Sequence, residues 1–350
     1  MDERIRTIIE AGIKAPSGDN CQPWRFLVNK NRIDLFNIPE RDTSLYNYKQ
    51  RASLVAHGAC IENMLITART LGLSAELQQF PTPGDEQHVA SITLQPAETV
   101  ADPLYSSISE RTINRKKYAG GSLSADAIER LRNSATGVSG AQLILFQERD
   151  KIAAAADIVA LSDRLVFENK YLHGFLFDHI RWTAAEAEYT QDGLDLRTLE
   201  LAPPDRLLFP LLKSFGFVSF IGTFGVTKII AANARKLMLS ASAAGMIMIE
   251  NTSAEAWFNA GRLLERIWLE ATRQGLSFHL MTGITLLVQR CRDGATGELT
   301  QINSKLVDTA DVLLREVTAS TSPVALLFRI GASQPPAARS LRKDIDGLIG

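Results

Sequence analysis

An internal repeat is the feature that most constrains how this 350-residue chain can fold. Residues 57–73 and 260–276 align at a shift of 203 positions, and apolar residues recur at helical spacing in both segments. The identical pairs are Gly58 and Gly261, Glu62 and Glu265, Ala68 and Ala271, Gly72 and Gly275, and Leu73 and Leu276. Each predicted helix ends at a glycine and precedes a β-rich run, at 89–94 or at 324–330. Duplication explains this shared order better than chance does.

The repeat divides the chain into two halves, residues 1–103 and 104–350. The second half carries two extra segments, at about 175–232 and 284–321, and such long connections are usually lids, binding loops or mobile segments. Because helical and β-rich segments occur together in each half, we expect an α+β fold with helices packed on mixed sheets. The predicted helices cover 2–14, 51–71, 124–134, 150–160, 163–190, 228–238 and 254–274.

Composition excludes several classes of protein. The net charge of −1 argues against a nucleic-acid-binding surface. The cysteines Cys21, Cys60 and Cys291 form no CxxC pair or Cys/His cluster, so we expect neither a disulfide framework nor a metal site.

The charged start lacks the apolar core of a secretory signal, and we expect a cytoplasmic protein. The apolar run 215–232 contains Lys228 and three glycines, so we expect a buried or lid-forming segment rather than a membrane span.

The stretch 15–26, APSGDNCQPWRF, is the most informative local motif. Loop-forming residues lie there between a predicted helix and a β-like run, and Gly18 allows close backbone approach. Hydroxyl and amide groups suited to the edge of a planar heteroaromatic ring come from Ser17, Asn20 and Gln22. The residues alone leave a second interpretation open, a plain turn capped by a buried Trp24.

This stretch resembles the loop of the nitroreductase superfamily that contacts the flavin ring from one subunit of a homodimer, and residues 51–73 are similar to that family's central helix. The resemblance implies a nitroreductase-like fold, FMN as cofactor, and a flavin site built from two halves that form a pseudo-dimer within one chain. No partner chain would be needed to complete the site, although further self-association stays open. The loop residues that the resemblance assigns to the flavin are Pro16, Ser17, Gly18, Asn20 and Gln22.

The second half carries the basic residues that this resemblance assigns to the flavin phosphate. Residues 111–118, RTINRKKY, are similar to the family's Arg-x-x-x-Arg stretch, and guanidinium groups suit phosphate oxygens. Ile113 stands where the family often has serine, and Thr112 is the candidate to replace that hydroxyl. By itself the stretch could also be a solvated basic helix face. The assigned residues are Arg111, Thr112 and Arg115, together with Arg339 or Arg342 of a C-terminal basic motif, between which the sequence does not choose.

Two other segments of the second half match the family in position. Asn233 and Lys236 resemble residues near the ribityl and pyrimidine parts of the flavin, where a lysine stabilises negative charge on the reduced ring. A helix end with ordinary basic residues is the alternative interpretation. Thr282 and Gly283 stand where a backbone amide faces flavin N5. We expect the neighbouring His279 to be a packed histidine rather than a catalyst, and no catalytic side chain is predicted.

The repeat also predicts that a second, symmetry-related flavin site is inactive. Residues 134–142 take the place of the flavin-contacting loop in the second half, but they lack its asparagine and its Gln-Pro-Trp. Residues 2–6, at the start of the first half, would form a poor phosphate site because they include two acids. This arrangement is similar to the tandem, single-chain Acg-like group of the superfamily, and we expect one FMN per chain.

The resemblance implies an FMN-dependent NAD(P)H oxidoreductase that acts on nitroaromatics, quinones or similar small-molecule acceptors. The alternative is a flavin-sequestering protein with little or no turnover, in which the insertion at about 175–232 covers the ring. Flavin-consuming benzimidazole synthesis, which other relatives perform, is a third interpretation. The sequence does not decide between the first two, because it does not show whether the insertion is an open or a closed lid.

Overall fold

The computed structural model describes residues 2–350, in which helices pack on two four-stranded sheets. This arrangement confirms the predicted α+β class. Local chemistry sets the helix ends: Asp2, for example, accepts a hydrogen bond from the backbone N–H of Arg4 and so caps the first helix. In chain order the helices and strands are α1 (Glu3–Gly12), β1 (Trp24–Asn29), β2 (Arg32–Asn37), α2 (Arg51–Thr70), β3 (Leu73–Gln79), β4 (His88–Pro96), α3 (Ser107–Glu110), α4 (Ala125–Ser134), β5 (Ala141–Phe146), α5 (Arg149–Glu168), α6 (Lys170–His179), β6 (Ile180–Arg181), α7 (Ala184–Thr190), β7 (Leu194–Asp195), α8 (Pro203–Leu208), α9 (Phe215–Gly222), α10 (Val226–Leu239), β8 (Ala243–Ile249), α11 (Ala254–Arg273), β9 (Ser277–Leu280), α12 (Gly283–Arg292), α13 (Gln301–Thr318) and β10 (Val324–Gly331).

The two four-stranded sheets have the same strand order. The first runs β1-β2-β4-β3 and the second β5-β8-β10-β9, so each follows the order first, second, fourth, third. In each, one long helix, α2 or α11, connects the second strand to the third. Every pairing within the two sheets is antiparallel, where mixed sheets were expected. Short connections, such as the turn between β1 and β2, enforce that sense of pairing.

Burial differs between the two sheets. Every residue of β8 and β10 is buried, because α11 packs on one face of the second sheet while α5 and α12 pack on the other. In contrast, β3 at the edge of the first sheet alternates between buried and more exposed residues, as a strand with one solvated face does. The main core surrounds α2 and α11, which pack on each other, and a second core lies on the outer face of the second sheet.

The long connection between β5 and β8 contains α5 to α10, and here the predicted helix boundaries are wrong. Helix α5 continues through residue 161, where a break was expected. The helix predicted over 163–190 is interrupted because the Asn169 side chain accepts hydrogen bonds from the N–H groups of Tyr171 and Leu172 and so begins a new helix. The chain is extended again at Ile180, in the short strand β6 that pairs with β7.

Within residues 2–350, none of the helices is by itself long and apolar enough to cross a membrane. Helices α9 and α10 are long and apolar enough only when they are counted as one segment. The chain bends by 92° between them. Several large apolar side chains of the insertion are exposed, namely Leu207, Leu211, Phe220, Phe224 and Ile229.

Candidate functional site

A cavity of about 1390 Å³ is lined both by residues of the first 103 positions and by residues of the rest of the chain. Its walls come from parts of the chain that are far apart in sequence: the loop after α1, the segment after α3, helices α5 and α10, the start of α12 and the C-terminal tail. Of the fourteen residues predicted to bind flavin, thirteen line this cavity. They are Pro16, Ser17, Gly18, Asn20, Arg111, Thr112, Arg115, Asn233, Lys236, Thr282, Gly283, Arg339 and Arg342. The roles assigned to them stay predictions.

The remaining predicted residue, Gln22, does not line the cavity but holds the loop after α1 in place. Its side chain is fully buried, with Nε2 donating to the carbonyl of Gln191 at 2.8 Å and Oε1 accepting from the N–H of Lys343 at 2.9 Å. Its own N–H donates to Ser17 Oγ at 3.0 Å. Asp19 and Gln22 have φ angles of 41° and 51°, a region that non-glycine residues occupy only where their surroundings fix them. The loop is therefore held by its neighbours in one conformation.

Arg342 is engaged by the protein itself. Its Nε donates to the carbonyl of Ile13 at 2.8 Å, and Nη2 donates to the carbonyls of Lys14 and Ala15 at 3.1 and 3.0 Å. Its Nη1 donates to Asn20 Oδ1 at 2.9 Å. These bonds satisfy the carbonyls that follow α1, and burial lowers the pKa of Arg342 to about 9. Arg342 thus clamps the tail to the loop.

Arg339 retains more capacity to bind an anion. Its Nη1 and Nη2 donate to the carbonyls of Ser109 and Glu110 at 2.9 and 3.0 Å, and its Nε has no partner among residues 2–350. The sequence did not choose between Arg339 and Arg342. The hydrogen bonds favour Arg339 as the candidate phosphate contact, because the guanidinium of Arg342 is already bonded to the loop after α1.

Arg111 is buried against the central helix α11. Its guanidinium lies 4.6 Å from the Trp268 ring centroid, its Nε is 3.1 Å from Glu265 Oε1, and Nη2 donates to the carbonyl of Lys14. The Glu265 side chain is fully buried, which raises the pKa of that carboxyl, while the charge of Arg111 opposes the change. Arg111 therefore neutralises a buried acid, and its Nη1 has no partner in the described part of the chain.

Arg115 faces acidic residues that the sequence analysis did not assign to the site. Its Nη1 donates to the carbonyl of Thr198 at 2.9 Å. Burial and the charge of Asp42 raise the pKa of Asp19 to about 6, although His179 and Arg115 act in the opposite direction. Across residues 2–350, no group of His, Cys, Asp or Glu side chains has a metal-binding arrangement. The acids whose charges act on Arg115 are Asp19 and Glu200.

The start of α12 lies at the cavity. Thr282 and Gly283 both line it, and the first N–H groups of a helix have no acceptor within the helix. Thr282 Oγ1 accepts from the N–H of Leu327 at 3.3 Å. Gly283 packs so closely on Tyr46 that a Cβ there would lie 3.0 Å from the ring. This end of α12 presents backbone donors and the positive end of the helix dipole.

Asp163 is a cavity residue that sequence reasoning missed. It lies on α5 beside Ser162 and has no hydrogen-bond or ion-pair partner within residues 2–350. Burial raises the pKa of its carboxyl to about 7. Val159, Asp163 and Val166 follow helical spacing and all line the cavity, so a helical wheel would have grouped them. The helix break expected between residues 160 and 163 hid this pattern.

Helix α10 presents polar side chains to the cavity near its C-terminal end. Asn233 and Lys236 line the cavity, and neither side chain has a partner among the described residues. Arg235, between them, instead forms an ion pair with Asp157, with 2.5 Å between Nε and Oδ1. Lys236 is therefore available to a ligand in a way that Arg235 is not.

The insertion gives the cavity an apolar wall, to which Leu208, Phe209 and Leu212 contribute. Phe209 stacks on Phe177 with 5.3 Å between ring centroids. The carbonyl of Leu212 accepts a hydrogen bond from His173 Nε2 at 2.8 Å. The wall is thus attached to α6 and covers one side of the cavity.

Comparison with known proteins gives relatives for most of the chain. No family model matches it. An uncharacterized protein of Mycobacterium tuberculosis strain CDC 1551 is 25% identical over 342 residues, which cover 96% of this chain and 47% of that protein. The chain thus spans about half the length of that relative. A Mycobacterium tuberculosis protein named "Putative NAD(P)H nitroreductase acg" is 25% identical over 292 residues, covering 81% of each chain.

One solved structure in the comparison is the FMN-dependent nitroreductase NfnB from Mycobacterium smegmatis in complex with NADPH. It is 11% identical to this chain, and the match covers 70% of this chain and 96% of that one. The TM-score is 0.40.

Proposed function

We propose that the chain is a member of the nitroreductase superfamily, binds one FMN between its halves and acts as an NAD(P)H oxidoreductase. Its electron acceptor would be a nitroaromatic, a quinone or a similar small molecule. A bound flavin would supply the two-electron chemistry. One observation carries the proposal: residues assigned to flavin from separate parts of the chain line a single cavity.

The cationic residues of the cavity fit a flavin phosphate. Nη1 of Arg111 and Nε of Arg339 have no partner in residues 2–350, and Lys14 and Lys117 line the cavity with unpaired ammonium groups. Charge-assisted bonds from such groups are among the stronger hydrogen bonds in proteins. The volume of about 1390 Å³ exceeds the roughly 300–1,000 Å³ of ordinary ligand sites, so a flavin and a second reactant have room.

Other residues that line the cavity fit the heterocycle. The backbone N–H groups at Gly283 and the unpaired ammonium of Lys236 would stabilise negative charge that develops on the ring. The apolar wall from the insertion would face the ring with apolar side chains. None of these residues needs to act as a nucleophile.

The proposal of a single site rests on an asymmetry between the two central helices. Glu265 pairs with Arg111 at the proposed site. Its repeat partner Glu62 pairs with two arginines of α11, with Nε of Arg262 at 2.9 Å and Nη1 of Arg266 at 2.8 Å. Nε of Arg266 also donates to the carbonyl of Ser134, the last residue of α4. Because Arg262 and Arg266 are bonded to groups of the protein, we expect no second phosphate site beside Glu62.

Flavin loading and turnover test the proposal. The purified chain, saturated with FMN and then desalted, should retain about one FMN per chain and should oxidise NADH or NADPH when a quinone is added. Arg4→Ala, which removes a surface ion pair with Asp2 outside the cavity, is the control and should behave like the original chain. Two FMN per chain would contradict the single site, and no retained flavin would contradict the whole proposal.

A second candidate function, flavin sequestration, is favoured by the apolar wall alone. Because Leu208, Phe209 and Leu212 cover one side of the cavity, they could keep a nucleotide from the ring. Stopped-flow mixing separates the two functions. Reduction by NADPH with saturation kinetics supports the oxidoreductase, whereas bleaching by dithionite but not by NADPH supports sequestration.

A further inference from the structure

His279 presents one ring nitrogen to the protein and the other to the cavity. It lies on β9 opposite Arg329 of β10, and Nε of Arg329 donates to His279 Nδ1 at 3.2 Å. A guanidinium cannot accept a hydrogen bond, so Nδ1 must carry a lone pair and the neutral ring holds its proton on Nε2. His279 is 9% exposed and lines the cavity, yet Nε2 has no partner among residues 2–350. This N–H is therefore a hydrogen-bond donor of fixed tautomer that could bind an acceptor on a ligand in the cavity.

Arg329, which donates this hydrogen bond to His279, is buried and has no counter-ion among the described residues. Arg329 is fully buried, and its Nη1 and Nη2 donate to the carbonyls of Leu237 and Lys116 at 2.8 and 2.7 Å. Its guanidinium stacks 3.9 Å from the Tyr118 ring centroid, and no carboxylate of residues 2–350 forms an ion pair with it. Burial lowers the pKa of Arg329 to about 10, which leaves it charged at neutral pH.

The same surroundings keep His279 neutral. Burial, together with the charges of Arg329 and Arg115, holds the pKa of His279 well below its ordinary value. The imidazole therefore keeps one N–H and one lone pair across the physiological pH range. Arg329 polarises it through Nδ1, and a polarised N–H prefers an electron-rich oxygen.

We propose that His279 donates its Nε2–H to an oxygen on the pyrimidine side of the bound flavin, where negative charge develops on reduction. Arg329 places this donor between the end of α10 and the segment after α3, because it binds the carbonyls of both Leu237 and Lys116. Leu237 is the residue next to Lys236, the candidate for the pyrimidine side. The inference rests on the proposed function, since it names a further binding residue of the same site. It gives His279 a role in flavin binding and in setting the flavin potential, beyond packing.

The test compares His279→Leu, which removes the donor, with His279→Gln, whose amide nitrogen can replace Nε2. Dissociation constants of FMN and of riboflavin are measured on the full apo-chain by flavin fluorescence, and the midpoint potential of the bound flavin is measured by dye equilibration. His279→Leu should weaken both flavins by the same factor, about threefold to tenfold. It should also lower the midpoint potential, because the reduced flavin loses a donor. His279→Gln should restore most of both properties.

Other outcomes overturn the inference in distinguishable ways. Loss of FMN affinity with unchanged riboflavin affinity would place the contact at the phosphate. An unchanged potential, or equal losses for His279→Leu and His279→Gln, would mean that His279 only packs. Histidine ¹⁵N spectra of the apo-chain test the tautomer independently, and a proton found on Nδ1 would overturn the inference without flavin. If the unaltered chain bound neither flavin, the proposed function would fail together with the inference.

Discussion

Gly58 and Gly261 occupy equivalent places where the two central helices cross. A Cβ on Gly58 would lie 1.9 Å from the carbonyl oxygen of Phe258, three residues before Gly261. A Cβ on Gly261 would lie 2.0 Å from the carbonyl oxygen of Val55, three residues before Gly58. Each glycine thus meets the same relative position on the other helix, as a two-fold relationship between the helices requires.

Alanine at either crossing glycine should destabilise the fold, because the Cβ cannot be accommodated without separating α2 from α11. We expect Gly58→Ala and Gly261→Ala each to lower the free energy of unfolding by about 3 kcal/mol. Urea unfolding measures the change. Gly174→Ala is the matched control, since a Cβ at that helical position would meet nothing within 4 Å. Stability near that of the control in either variant would show that the helices can separate at little cost.

Arg115 and Arg111 should differ in how they affect flavin binding. Arg115→Ala should weaken FMN by about 1.5–3 kcal/mol through loss of a phosphate contact and leave riboflavin unchanged. Arg111→Ala should weaken both flavins, because it also leaves the buried Glu265 unpaired and lowers the free energy of unfolding by about 3–5 kcal/mol. Fluorescence titration with each flavin gives the affinities. Equal losses of FMN and riboflavin in Arg115→Ala would exclude a phosphate role for that arginine.

Asp163 should make stability depend on pH. Burial raises the pKa of Asp163 from 3.8 to about 7, so between these values the folded chain binds more protons than the unfolded one. The contribution of Asp163 to the free energy of unfolding therefore falls as pH rises through this window. Asp163→Asn should raise the free energy of unfolding by on the order of 2 kcal/mol at about pH 8 and change it little at about pH 4.

Urea unfolding at several pH values checks this expectation. Asp150→Asn, at the exposed start of the same helix, is the control and should follow the pH profile of the unaltered chain. If Asp163→Asn raised the free energy of unfolding by the same amount at every pH, the Asp163 carboxyl would not titrate in this window.

The insertion should control access to the cavity. Replacing residues 203–222 with a Gly/Ser linker should speed NAD(P)H oxidation and loosen FMN, because it removes the apolar wall. Thermal unfolding must first show that α6 still packs, since Val218 of the deleted segment is buried against Phe177. Phe224→Ser, on the exposed outer side, should change neither rate nor affinity. If shortening also leaves both unchanged, the insertion is not a lid and a partner or membrane role gains support.

Local sequence patterns predicted the fold better than they predicted which groups the residues around the cavity contact. The repeat and the loop motif lie in continuous segments, so spacing and loop chemistry were enough to find them. Gln22 and Arg342 were assigned to the ligand, but both bond to distant backbone groups that no local pattern reveals. Asp163 was missed because the break in the helix was placed six or more residues too early, before the capping Asn169.

The bond between Arg342 and Asn20 has a consequence for how the chain reaches its folded state. It joins residues that are 322 positions apart, so forming it closes a loop that contains most of the chain. Contacts of such large sequence separation carry a high loop-closure entropy and form slowly. We therefore expect the tail and the loop after α1 to come together late in folding, after the central helices have packed on the sheets. The wall that this loop and the tail give to the cavity should then be completed late as well.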